Sequence, residues 1–343
     1  MRMMSSLKGI ASTVTPWAVI LLLIYLALFT HPAVNSNVVI PPPISVLDRF
    51  YGVAEPSQDQ LWLVGSFGKI IKSSDGGRSW TIQRTGGDIN LQAVATWDAS
   101  TAVAVGDDAS MLVTQDGGTT WETRSSDAIP ANIKLMDVGV FPDGQAWAVG
   151  DRGTILRSDD RGATWRLMRE REDVGLQGFT KVGSRVWVVG EFGTILHSED
   201  DGASWETQDS GTGSYLSAVA FRDPDNGLVV GLDGAILATA DGGATWTPIR
   251  TSEHNHYFAV AWDGSHWFLS GANGLIAAAD AAATNWDVRQ LGKNDFSWHT
   301  HVLRRADGWL LAGSSVGIYD DGTWRVMVTD ADGQVEQAAP AVP

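Results

Sequence analysis

From residue 48 onward, short apolar runs alternate with polar, glycine-containing turns, and nothing there has the three-to-four-residue spacing of an amphipathic helix. The runs recur in a fixed order. A run with a Leu-x-x-Val core comes first, as in Leu91 to Val94, Leu135 to Val138 and Leu216 to Val219. A wholly apolar run ending in glycine follows, for example Trp187-Val188-Val189-Gly190, then a Gly-x-x-Gly turn and a second apolar run such as Ile195 to Ser198. A polar turn closed by tryptophan and a short polar run complete the unit. Bounded runs of this length read as β-strands joined by hairpins. The closing residues are Trp80, Trp121, Trp165, Trp205, Trp246, Trp286 and Trp324, spaced 38 to 44 residues apart. Four strands per period, seven times over, predict an all-β, seven-bladed β-propeller with four-stranded antiparallel blades. An open solenoid shares the repeat, but its sheet edges need capping and those of a closed ring do not.

The N-terminus breaks this pattern. Trp17 to Phe29 is uncharged and apolar, Arg2 and Lys8 precede it, and His31 to Pro43 after it is Pro-rich. This order predicts a transmembrane or signal helix with its start in the cytoplasm and the remainder exported. Val14 to Thr30 sits at the lower limit for a spanning helix. Two readings stand: an uncleaved anchor with the propeller on the periplasmic side, or a signal peptide cleaved near Val34-Asn35-Ser36 with the propeller secreted to the periplasm. The expected organisation is 1–36 signal anchor or signal peptide, 37–47 Pro-rich linker, 48–329 propeller and 330–343 disordered tail. Blade seven packing on blade one, with at most a minor strand exchange, is expected to close the ring.

Composition refines the picture. The chain has 343 residues with 38 Gly and 16 Trp. Seven tryptophans close units and five more, Trp62, Trp147, Trp187, Trp267 and Trp309, lie in second strands, so most of the surplus is packing rather than an aromatic binding surface. The net charge of -16 speaks against binding nucleic acid through a broad basic surface. With no cysteine there are no disulfides, thiolate metal sites, cysteine nucleophile or lipidated cysteine.

Between third and fourth strands runs Ser/Thr-x-Asp-x-Gly-x-Thr/Ser-Trp, through Asp75, Asp116, Asp160, Asp200 and Asp241 to Trp80, Trp121, Trp165, Trp205 and Trp246. This motif resembles the Asp-box, or bacterial neuraminidase repeat. A carboxylate in a tight turn accepts backbone N–H groups, glycine allows the backbone angle and tryptophan packs between sheets, so the motif is a fold staple. Calcium loops would need more oxygen ligands than one aspartate per turn supplies. The last two units are decayed copies. Sialidases with this repeat use an arginine trio, a tyrosine and an acid on the face away from the boxes. No comparable catalytic constellation can be named here, and the reading is of a non-enzyme without cofactor or metal.

Seven units with WxVGxxGxIxxSxDGGxTW spacing behind an export signal resemble the photosystem II stability and assembly factor family over residues 48 to 329. The resemblance implies a non-enzymatic propeller that helps assemble a membrane complex, docking on a nascent membrane subunit through an arginine-rich surface. Related sequences occur in non-photosynthetic bacteria, where some accompany transporters of the resistance-nodulation-division type. Cyanobacterial members carry a lipid-anchoring cysteine, where this chain has its apolar segment. The expected role is therefore a membrane-tethered scaffold for an integral membrane protein complex, either photosystem-type or, outside photosynthetic hosts, a transporter. A secreted sialidase-like glycan hydrolase or lectin is the alternative. Arg84, Arg124, Arg169, Arg250 and Arg289 recur after the closing tryptophans and form a candidate partner-binding arc, unless each pairs with a nearby acid. Asp137, His299 and His301 are the candidate polar residues of the central channel, since Gly52, Ala93, Gly178, Ala218 and Ala259 hold the matching innermost position elsewhere.

Overall fold

The computed structural model describes residues 41–84, 87, 89–251 and 254–337. The chain divides into Met1–Pro41 and Pro42–Pro343, and the second unit carries the fold. The predicted N-terminal helix and the anchor or signal reading of 1–36 lie outside the described residues. Among the described residues, no helix is long and apolar enough to cross a membrane.

Seven antiparallel sheets follow one another along the chain, six of four strands and the last of five. Their first strands are Phe50–Ser57, Leu91–Thr96, Leu135–Val140, Leu176–Val182, Leu216–Phe221, Tyr257–Trp262 and His299–Arg305. Each packs against the first strand of the next sheet, and His299–Arg305 packs against Phe50–Ser57, which closes the ring. The structure is thus the predicted seven-bladed propeller.

Burial explains why the second strands are apolar without alternation. Each has a blade on both faces, and Ala102–Gly106, Ala146–Gly150 and Gly227–Gly231 are buried throughout. Fourth strands such as Glu122–Arg124 lie at the rim and are polar. Tryptophans stitch neighbouring blades: Trp62 meets the closing Trp121 edge-on at 5.5 Å, and Trp147 meets Trp205 at 6.3 Å. Burying side chains of this kind stabilises by about 1.5–3 kcal/mol each.

One backbone device repeats seven times. A β-bulge opens every first strand, for example between Leu91 and Ala93 or between Leu216 and Ala218. Opposite it, the second strand ends in glycine, because a Cβ at Gly65 or Gly106 would fall 1.9 or 2.0 Å from the carbonyl oxygen of Arg49 or Asn90. The bulge turns the first residue of each strand into the blade core and the next toward the axis.

Two boundaries move. Ile44, expected in the linker, is buried at the seam between blades seven and one, where it exchanges hydrogen bonds with Thr329 (2.8 and 2.9 Å). The tail expected to be disordered from Asp330 folds back instead. Val335–Gln337 adds a fifth strand to blade seven, the Trp80 N–H donates to Gly333 O at 2.8 Å, and Val335 N–H donates to Arg78 O at 3.0 Å. Residues 338–343 lie outside the described residues. Closure therefore exchanges no strand between the end blades' four-stranded cores; two flanking segments clasp the seam.

Candidate binding site: the channel and the loop face

Strand direction sorts the connections. Asp-box turns and first-to-second turns share one face; hairpin tips such as Ser66–Gly68 and the inter-blade connections share the other, here called the tip face. On the box face, Asp75 shows what the motif does. One oxygen accepts from Ser73 Oγ (2.8 Å), Arg78 N (3.0 Å) and Ser79 N (2.9 Å), and the other from Ser79 Oγ (2.6 Å). Asp116, Asp160, Asp200 and Asp241 repeat the pattern. These bonds hold Asp116 at about 2, led by the Thr120 backbone N–H, and Asp200 at about 2, led by the Ser204 hydroxyl. Donors occupy the carboxylate oxygens, so the boxes staple the turn and offer no calcium loop. The sixth unit, decayed in sequence, keeps the staple: Asp280 accepts from Thr284 N at 2.9 Å and the Trp286 indole donates to Ala283 O at 2.9 Å.

Along the axis lies a cavity of about 620 Å³. The seven bulge residues, Tyr51, Gln92, Met136, Gln177, Ser217, Phe258 and Thr300, all line it. Sequence reasoning missed this ring, although the residue after the first apolar position of each Leu-x-x-Val run marks it. Asp137 and His301 line the cavity as expected. Asp137 accepts from Val138 N at 2.8 Å and, across to blade four, from Phe179 N at 3.3 Å, while burial pushes its carboxyl up to about 6. Burial lowers His301 to about 4. Tyr215, also in the lining, is pushed up to about 12 by burial and then by the Glu191 and Asp151 carboxylates.

His299 does not belong with them. It occupies the slot that Leu91, Leu135, Leu176 and Leu216 fill in other blades, fully buried, edge-on to Trp324 at 5.2 Å, with Nε2 3.1 Å from Ser315 Oγ. The bulge between His299 and His301 is the reason: it puts one ring in the blade core and the other on the channel.

The arginine arc is largely paired within its own blades. Arg124 meets Glu122, Arg169 meets Glu172 and Arg289 meets Asp287, each at 2.5 Å. Arg250 is exposed beside a cleft shared with Thr251 and His254. The Arg84 side chain lies outside the described residues. Acids thus offset three of the five arginines, and the recurring tip loops and bulge ring are further features of this face.

Among solved structures, the fold is similar to "YCF48 bound to D1 peptide" (TM-score 0.67, 19% identity, 80% of this chain and 92% of that one). It is similar also to YCF48 from Cyanidioschyzon merolae (0.66, 16%, 81% and 96%) and to the WD40 β-propeller domain of Doa1 (0.63, 14%, 78% and 90%). At such identities the likeness speaks for the fold alone. No curated protein matches the chain. The family model described as photosynthesis system II assembly factor YCF48 matches residues 88–170, 127–209 and 204–295. These overlapping matches span more than half of the sequence, and the chain belongs to that family.

Proposed function

We propose that the protein is a non-enzymatic assembly factor for a membrane protein complex, working by binding a segment of one subunit rather than by turnover. The family match across blades two to six carries this reading. A solved YCF48 is bound to a D1 peptide, which makes a peptide segment of a membrane protein complex the kind of ligand to expect. The chemistry of the polar residues agrees with binding. Backbone N–H groups hold Asp137, burial keeps His301 neutral at physiological pH, and the box aspartates serve their own turns.

The apolar N-terminal run would tether the propeller on the extracytoplasmic side. In a photosynthetic host the partner is a photosystem II-type subunit; elsewhere the tether and the missing cysteine fit an accessory of a resistance-nodulation-division transporter. Deleting the protein and resolving membrane complexes on native gels tests the role: a partner complex should fall in amount and its unassembled subunit accumulate. An unchanged set of complexes, or release of sugars from a glycan panel by the pure protein, would replace this reading with the hydrolase one.

A further inference from the structure

Five large apolar side chains stand exposed among the described residues: Val46 (76%), Leu47 (82%), Phe67 (72%), Phe192 (75%) and Phe296 (78%). Single exposed apolar residues scattered over a surface need no explanation. These are not scattered. Phe67 and Phe192 cap the hairpin tips of blades one and four, Phe296 sits in the connection from blade six to blade seven, and Val46 and Leu47 lie on the segment leading into blade one. All five are on the tip face.

Backbone conformation supplies a second observation. Phe67 and Phe192 have φ of 57° and 56°, in the left-handed region. The same tip position holds Asp108, Arg152, Asp233 and Asn273 in other blades, with φ of 54° to 57°. Asn and Asp tolerate that conformation, whereas a bulky aromatic residue there is strained. Among the described residues the two rings make no aromatic contact that would offset the strain, so packing does not account for them.

The spacing of the five points to what they meet. Blade one, blade four and the connection between blades six and seven are spread around the ring, and none of the five residues lines one of the described cavities, so their apolar groups suit a broad surface rather than a groove. The chain's own path leads there too. Ile44 is bonded to Thr329, Arg49 Nη1 donates to Ser314 O at the blade-seven tip, and Asp48 pairs with Lys69 beside the blade-one tip, so Pro42 to Arg49 runs across this face. Upstream, only the stretch from His31 to Pro41 separates the ring from the apolar run ending at Thr30. Fully extended, that is on the order of 35–40 Å, short enough to keep the face within reach of a bilayer and too long to press it there.

We propose that the tip face docks on a lipid bilayer, with Phe67, Phe192 and Phe296 at the headgroup–acyl boundary and the Asp-boxes turned away from it. The inference rests on the anchor reading of residues 14–30. Phenylalanine in that boundary is a recognised interfacial anchor. The hairpin tips carry Asp107, Asp108, Asp151, Glu191 and Asp233 against Arg152, and in a chain of net charge -16 this balance favours a zwitterionic surface over an anionic one.

The absence of cysteine makes the test direct. The full chain is reconstituted into phosphatidylcholine vesicles with a single environment-sensitive fluorophore at Phe192→Cys, Phe296→Cys or, as the box-face control, Ala163→Cys. Brominated lipid should quench the two tip labels at least threefold more than the control, and aqueous iodide should do the reverse. Replacing half of the lipid with phosphatidylglycerol should reduce tip protection. In a second arm, Phe67→Asn/Phe192→Asn suits the backbone and should leave the melting temperature intact while returning a Phe296→Cys label to iodide. A chain that floats with vesicles but keeps its tips open to iodide overturns the docking and leaves the anchor standing. A chain that does not float overturns both. Tip protection that appears only when a membrane protein fraction is added shows a protein partner on this face and also overturns the proposal.

Discussion

Arg305 of blade seven reaches across the ring's seam to Glu55 of blade one, with Nη1 2.9 Å from the carboxylate, while Nη2 donates to Gly76 O of the first Asp-box at 3.0 Å. Both side chains are nearly buried, at 7% and 14% exposure, and Nε of the same guanidinium donates to Asp307 at 3.0 Å. Burial pushes the Glu55 carboxyl up even though Arg305 pulls the other way, so the pair fixes the seam's geometry more than it adds net stability.

The two halves of this latch are therefore unequal. Arg305→Met abandons a buried carboxylate and the Gly76 carbonyl and should cost about 3 kcal/mol. Glu55→Gln keeps an acceptor for Arg305 on a group already biased toward neutrality and should cost less than about 1 kcal/mol. Thermal melts of both variants and the double variant check this; equal losses would show that charge pairing, not the arginine's hydrogen bonds, holds the seam.

The sixth Asp-box should behave as a working staple despite its sequence. Asp160→Ala in an intact box removes an acceptor of three bonds, to Ser158, Thr164 N and Thr164 Oγ1, and should cost about 1–3 kcal/mol. Asp280→Ala should lower the melting temperature by a comparable interval, because Thr284 and Asn285 lose their acceptor. No change for Asp280→Ala would show that the Trp286 indole bond alone holds that turn.

Blade number, strand order and the structural role of the boxes were legible in the sequence because each rests on a periodic pattern of apolar positions, and periodicity is a local signal. The seam was not, since Ile44 and Gly333 act through partners 285 and 253 positions away in the chain, at Thr329 and Trp80. Gly333 carries its reason in geometry alone: a Cβ there would fall 2.0 Å from Trp80 O. His299 and His301 look alike at a spacing of two, and only the bulge between them shows that they face different environments. The arginine arc recurs three or four residues after five of the seven closing tryptophans, but that recurrence is silent on the neighbours that pair with it, Glu122 and Asp287 just before their arginines and Glu172 just after Arg169.

Acid should weaken the fold from about pH 6.5 downward through these two histidines. Burial lowers His299 and His301 to about 4, so both are neutral in the folded state while their unfolded counterparts take up protons near 6.5. The stability they contribute is complete above that point and is lost as pH falls toward 4. His299→Leu restores the residue that four other blades use at this position. The variant should melt higher than wild type by a margin that widens between pH 6.5 and 4. A margin constant across that window would mean that His299 takes up its proton as readily in the folded chain as in the unfolded one.

Asp137 should show the opposite sign. Its carboxyl is raised to about 6 by burial, so the folded state favours the protonated form, and the group's relative contribution declines as pH rises from about 4 through 6. A tenfold difference in proton affinity between folded and unfolded chain is worth about 1.36 kcal/mol, and screening by water in the channel discounts the sum, leaving a cost of about 1–2 kcal/mol at neutral pH. Asp137→Asn keeps one acceptor for the Phe179 or Val138 N–H and removes the charge. Its melting temperature relative to wild type should therefore be lowest near pH 4 and climb by several degrees by pH 7.5. A difference that stays flat over this range would show the carboxylate to be as well solvated in the channel as in the unfolded chain, and a difference that falls would mean the charged form is the one that joins blades three and four.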